Sequence, residues 1–88
     1  MFKNRRSDLD IICHILELAS DGARKTEILY QGNFSYTQLK HYMPLLIKNN
    51  ILEEQLLKDD GSSYKMYKTT NKGHALLKDI EKVLSNFK

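Results

Sequence analysis

The 88 residues leave room for one small domain, whose core is marginal unless a second copy or unusually good packing adds to it. Hydrophobic residues at 41% and charged residues at 28% are ordinary for a globular chain, and no apolar run approaches the roughly 18 residues of a membrane span. A basic N-terminus with no long apolar stretch behind it argues against a secretory signal, so a cytoplasmic location is expected. The lone Cys13 sits among Ile11, Ile12, Ile15 and Leu16, where a small buried hydrophobe is expected rather than a reactive thiol.

The net charge of +3 alternates along the chain. Residues 1–6 (Lys3, Arg5, Arg6) and the segments 22–48 and 64–88 are basic, whereas 7–21 and 49–63 are acidic. Such a chain can fold into a body with one cationic face, the electrostatic footprint of a polyanion binder, or into an ordinary mixed surface.

Residues 1–6 read as a basic N-terminal arm. Ser7 is expected to cap a first helix that runs to about Ser20, with Asp8 and Asp10 in its first turn and a wide apolar stripe through Leu9, Ile12, Leu16 and Ala19, flanked by Ile11, Ile15 and Leu18. Asp21-Gly22 ends it. A second, shorter helix spans about Arg24 to Gln31, broken by Gly32-Asn33. Ser35 then caps a third helix, with Gln38 three residues on to complete a capping box and Phe34 and Leu39 spaced as a hydrophobic staple. At the 3.6-residue period Leu39, Tyr42, Met43 and Leu46 form its buried stripe, and Thr37, His41, Pro44 and Lys48 the opposite face, with Lys40 beside it. This helix is expected to reach about Asn49, with a kink near Pro44. Two runs, Ile51 to Lys58 and Tyr64 to Thr69, flank the polar turn Asp59–Ser63 as a β-hairpin. Thr70 caps a last helix from Asn71 to about Asn86, whose apolar line Leu77, Ile80, Leu84 and Phe87, with Leu76 and Val83 beside it, is more than a small domain covers. Tyr30, Tyr42 and Tyr67 are expected to be buried and Tyr36 exposed.

Two helices joined by a tight Gly-containing turn, then a hairpin, then a helix give a mainly α chain with the α-α-α-β-β-α order of a winged helix-turn-helix. The residues Lys25-Thr26-Glu27-Ile28-Leu29-Tyr30, Asn33-Phe34-Ser35-Tyr36, Tyr42 with Leu45-Leu46, and Tyr67-Lys68-Thr69-Thr70-Asn71-Lys72-Gly73 resemble motifs of small archaeal winged-helix proteins. The resemblance covers residues 7–84 and is nearest to the Sso-ten-a type of archaeal DNA-binding protein and related single-domain transcriptional regulators. It implies a nucleoid-associated homodimer that binds double-stranded DNA and pairs through its last helix in an antiparallel coiled coil. Domain boundaries then fall at 1–6 for the arm, 7–70 for the winged-helix domain and 71–88 for the C-terminal dimerisation helix. Asn49-Asn50 stands where that family tends to place Gly, and Glu53, Glu54, Asp59 and Asp60 make the hairpin partly acidic.

The first half of the third helix would enter a major groove, presenting Tyr36, Thr37, Lys40 and His41 to base edges or phosphates, with Ser35 and Lys48 at its two ends. Arg24 and Lys25 would reach the phosphate backbone. Ser62, Ser63, Lys65 and Lys68 would lie along a phosphate strand, and Arg5 and Arg6 in a minor groove. Leu76, Leu77, Ile80, Val83, Leu84 and Phe87 would form the dimer interface. No phosphate-cradling Gly loop or nucleophile motif is present, and His14, His41 and His74 fall on three separate helices, so no enzyme, metal, cofactor or small-molecule effector is expected. A sequence-independent chromatin protein and a winged-helix protein-interaction module are the alternatives.

Overall fold

The computed structural model describes residues 8–86, so Arg5, Arg6, the Ser7 cap and Phe87 lie outside the described residues. Six elements follow one another: α1 (Asp8–Leu18), α2 (Lys25–Gln31), α3 (Tyr36–Lys48), β1 (Leu52–Asp59), β2 (Ser62–Thr69) and α4 (Asn71–Ser85). The order is the α-α-α-β-β-α of the sequence reading.

In α1 the buried line runs through Ile11, Ile15 and Leu16 to Ala19 just past the helix end, while Leu9 is exposed and Ile12 half-buried, so the inner side is turned toward the expected flank of the stripe. The helix stops earlier than its apolar pattern, because Gly22 at φ 105° turns the chain into an extended residue, Ala23. Ala23 exchanges two backbone hydrogen bonds with Tyr67, at 2.9 and 2.8 Å, adding a one-residue third strand to the hairpin sheet. Nothing in the sequence announces a strand one residue long. Asp8 also does more than favour the helix dipole: its carboxylate accepts the Tyr42 hydroxyl and so ties α1 to α3. That hydrogen bond, with burial, pushes the Tyr42 hydroxyl above its ordinary pKa.

Arg24 is the N-cap of α2 rather than its first residue, and its amide donates to Glu27 Oε1 at 2.7 Å. Ile28 is fully buried, but Tyr30 is 77% exposed, against expectation. Two residues round a helix is about 200°, so the side that places Ile28 in the core turns Tyr30 to solvent. Asn33 takes the left-handed conformation at φ 55°, and the Phe34 amide reaches back to the Leu29 carbonyl at 3.0 Å.

The capping box of α3 forms as the sequence implies. The Gln38 amide donates to Ser35 Oγ at 3.1 Å, and the Ser35 amide to Gln38 Oε1 at 2.8 Å. Phe34 and Leu39 are both in the core, as are Tyr42, Met43 and Leu46. The helix passes through Pro44 to Lys48 without interruption. Pro44 stands on the exposed face, where water can take the place of the N–H it lacks.

The hairpin is longer and its turn tighter than expected. Asp59 pairs with Ser62, leaving Asp60-Gly61 as a two-residue turn with φ of 49° and 80°. Positive φ at both central residues suits a turn that follows the right-handed strand twist, and Asp-Gly is a preferred pair for it. Asp59, Ser62 and Ser63 therefore belong to the ladder. A hairpin end that stands in solvent needs no apolar residues to be a strand.

Thr70 fastens α4 to the body: its Oγ1 accepts from the Gly73 amide at 2.9 Å and lies 2.6 Å from the Asn50 carbonyl, to which it donates. The Thr69 hydroxyl donates to the buried Leu16 carbonyl at 2.8 Å. α4 packs chiefly on α1. Ile80 is consequently only 5% exposed within its own chain, whereas Val83 is 45% exposed.

Candidate nucleic-acid interface

The rigid entry into α3 decides which side chains stand outside the body. Tyr36, Thr37, Lys40, His41, Pro44 and Lys48 are all exposed; Thr37, His41, Pro44 and Lys48 stand opposite the buried stripe, with Lys40 on its flank and Tyr36 in the first turn. Ser35 is exposed too, its Oγ already accepting the Gln38 amide. Lys25, from the first turn of α2, places its ammonium 5.4 Å from the centre of the Tyr36 ring, a cation–π distance. Lys25, Lys40 and Lys48 come together around one cavity between α2, α3 and the hairpin. Three elements distant in sequence thus enclose one cationic edge.

Arg24 and Lys25 part company despite being adjacent. The Arg24 guanidinium lies 4.2 Å over the Tyr64 ring, which anchors it against the hairpin. The lysines of the hairpin also separate. Alternation along β2 puts Lys65 on the same side as buried Tyr67, while Lys68 and Ser62 are on the other. Lys65 is 3.8 Å from Glu54, a residue lining the α3 cavity. Lys68 stands opposite Glu53 in the ladder and lines a separate depression with Asn71 and Lys72. The structure therefore gathers Lys25, Lys40 and Lys48 with Lys65 nearby, and leaves Lys68 and Ser62 facing elsewhere.

Tyr67 and Glu54 close the inner wall of the same cavity. The Tyr67 hydroxyl donates to Glu54 Oε2 at 2.8 Å. Burial first, then this hydrogen bond, pushes the phenol up to about 12.

Where α1 meets α4, Cys13, Glu17 and Glu81 bring three ligand-type atoms within 4.8 Å of one another. Burial, with the charges of Glu17, Glu81 and Asp10, pushes the Cys13 thiol up to about 11, so the reactive thiolate is scarce at neutral pH. Burial and the hydrogen bond with Glu81 likewise raise the Glu17 carboxyl. Alkylation of the native protein by iodoacetamide at pH 8 should be slower than that of the urea-unfolded chain by at least about tenfold. Equal rates would show the thiol to be open.

Among the described residues no helix is long and apolar enough to cross a membrane. A search of curated proteins by sequence finds no match. Solved structures do match. Sso10a-2, described as a DNA-binding protein from Sulfolobus solfataricus, aligns with a TM-score of 0.76 at 24% identity, over 91% of this chain and 80% of that one. A PadR-like transcription factor from Bacteroides fragilis gives a TM-score of 0.70 at 22% identity, over 88% of this chain and 81% of its own. Diamide-treated YodB of B. subtilis gives 0.70 at 27% identity, over 85% and 72%. The first two, at such identity, speak for the fold. A family model described as winged helix-turn-helix matches residues 5–88, and with the three-helix body, capped third helix and hairpin in place, the chain belongs to the winged helix-turn-helix family.

Proposed function

We propose that this protein is a DNA-binding transcriptional regulator that acts as a homodimer. The observation that carries the reading is the convergence of Lys25, Lys40 and Lys48 beside the exposed face of α3. A helix held rigidly at its start, with Thr37 and His41 as hydrogen-bonding groups and lysines along its flank, fits the demands of a major groove and its bordering phosphates. The structural neighbours include a DNA-binding protein and a transcription factor, which agrees with this reading. Pairing through α4 uses Val83 and the half-covered edges of Leu76, Leu77 and Leu84. Ile80, already buried inside the chain, adds little.

Fluorescence anisotropy with a labelled duplex at increasing salt tests the reading. Three phosphate contacts per protomer give a slope of log affinity against log salt of about −2.7 for each chain, since each contact contributes about −0.9. A regulator also prefers its own site over random duplex by roughly 10³ or more, which a coating chromatin protein does not. Sedimentation should return the mass of two chains. Absence of duplex binding at low salt defeats the DNA assignment, and a one-chain mass at micromolar concentration defeats the dimer.

A further inference from the structure

The cavity between α3 and the hairpin has a volume of about 440 Å³, within the range of small-molecule sites. The open part of its floor is Pro44 and Ile47, laid over the buried Leu39 and Met43, and its rim carries Lys25, Lys40 and Lys48. Glu54, the acid in its lining, already accepts the Tyr67 hydroxyl and lies 3.8 Å from Lys65, so the rim presents cationic groups. A phosphodiester strand matches that rim but not the floor, because a chain charged at every link gains nothing from the apolar surface of Pro44 and Ile47. The basic N-terminal residues Lys3, Arg5 and Arg6 have the same sign as the rim and do not complement it. An occupant that satisfies both parts has an apolar body and one anionic group.

We infer that this cavity is an effector site for a small aromatic or branched aliphatic acid, a carboxylate or sulfonate, whose binding excludes DNA. The ring system or branched chain lies on Pro44 and Ile47, and the anionic group meets the lysine ammonium groups. Because Lys40 and Lys48 also border the exposed face of α3, the acid and a phosphate strand compete for the same cations. That competition rests on the DNA-binding reading; the site itself does not.

The probes are 8-anilinonaphthalene-1-sulfonate and its neutral counterpart N-phenyl-1-naphthylamine, which share a ring system and differ in the sulfonate. Fluorescence titration of the full chain should give a saturable site that binds the sulfonate at least tenfold more tightly than the neutral dye. P44E places a carboxylate on the floor beside the rim lysines and removes a mid-helix proline, so the helix is kept; it should weaken the sulfonate at least tenfold with the circular dichroism unchanged. L57S, on the outer face of the hairpin, should leave the titration as it was. Added duplex should displace the dye at low salt. Equal affinity for the two dyes, an unaltered titration in P44E, or a dye signal lost in L57S overturns the site. A signal that falls as protein concentration rises at constant dye ratio assigns the cavity to a second copy and also overturns it. Duplex binding with no saturable dye site overturns this inference while the DNA reading stands. A dye site that fails to compete with bound duplex overturns the regulatory half, and a dye site with no duplex binding overturns the DNA reading alone.

Discussion

Replacing Lys40 and Lys48 together by alanine lowers duplex affinity by about a hundredfold at low salt, a charge-assisted hydrogen bond being worth about 1.5–3 kcal/mol. The same change makes the salt dependence shallower by about 2 per protomer, because each lysine that no longer meets a phosphate takes away close to one released counterion. Both side chains are exposed on α3, so the substitutions leave the core intact and the thermal midpoint should hardly move. Lys68→Ala is the internal comparison. It removes the same charge from the opposite face of the hairpin, where the residue stands across from Glu53, and should leave affinity within about twofold, the usual effect of a distant surface charge. Anisotropy titrations at several salt concentrations read all three proteins. Equal losses in the double variant and in Lys68→Ala would mean that net charge, and not the α3 edge, governs binding.

The contrast between Lys40 and Lys68 also shows what a sequence carries and what it does not. The start of α3 and its two faces are legible because their signals are local: the Ser35–Gln38 box, the Phe34–Leu39 staple and the helical period each lie within a few residues. The fold class follows from the order of such elements. The hairpin is legible as a hairpin, but its ends are not, because polar Ser62 and Ser63 look like loop. Strand register then fixes which face of the hairpin turns to the body, and a shift of one residue exchanges the two faces. Alternation alone parts Lys65 from Lys68, but only the packed hairpin shows which of the two faces α3. Tyr30 escapes the helical pattern because a seven-residue helix offers too few turns for the period to locate its inner side. The single rung at Ala23 and the lysine-rimmed cavity arise from residues far apart in the chain, and only packing brings them together.

The largest effect on stability is expected from Gly73→Ala, with a sign opposite to the usual one. Inside a helix alanine ordinarily improves on glycine by about 1 kcal/mol, because it restricts the unfolded chain. Gly73 lies in the first turn of α4, and a Cβ there would fall on the Ile51 carbonyl oxygen and come within 2.7 Å of Thr69 Cγ2. Neither neighbour is free to yield. The Ile51 carbonyl accepts the Thr70 amide at 3.1 Å, the Thr69 amide donates to the Ala19 carbonyl at 2.9 Å, and the Thr69 hydroxyl is bonded to Leu16. Relief requires α4 to lift from the base of the hairpin, breaking the Thr70 cap, so the overpacking should outweigh the propensity gain and cost about 2–3 kcal/mol net. For a domain of this size that lowers the melting temperature by on the order of 10–20 °C. Gly61→Ala is the counterpart, since Gly61 has φ 80° and a Cβ there would meet no atom within 4 Å; it bears only the left-handed penalty of about 1–2 kcal/mol. Urea melts of the two variants should rank Gly73→Ala as the less stable. A Gly73→Ala protein as stable as the parent would mean that α4 does not seat against Ile51, and that its angle to the hairpin is set by other residues.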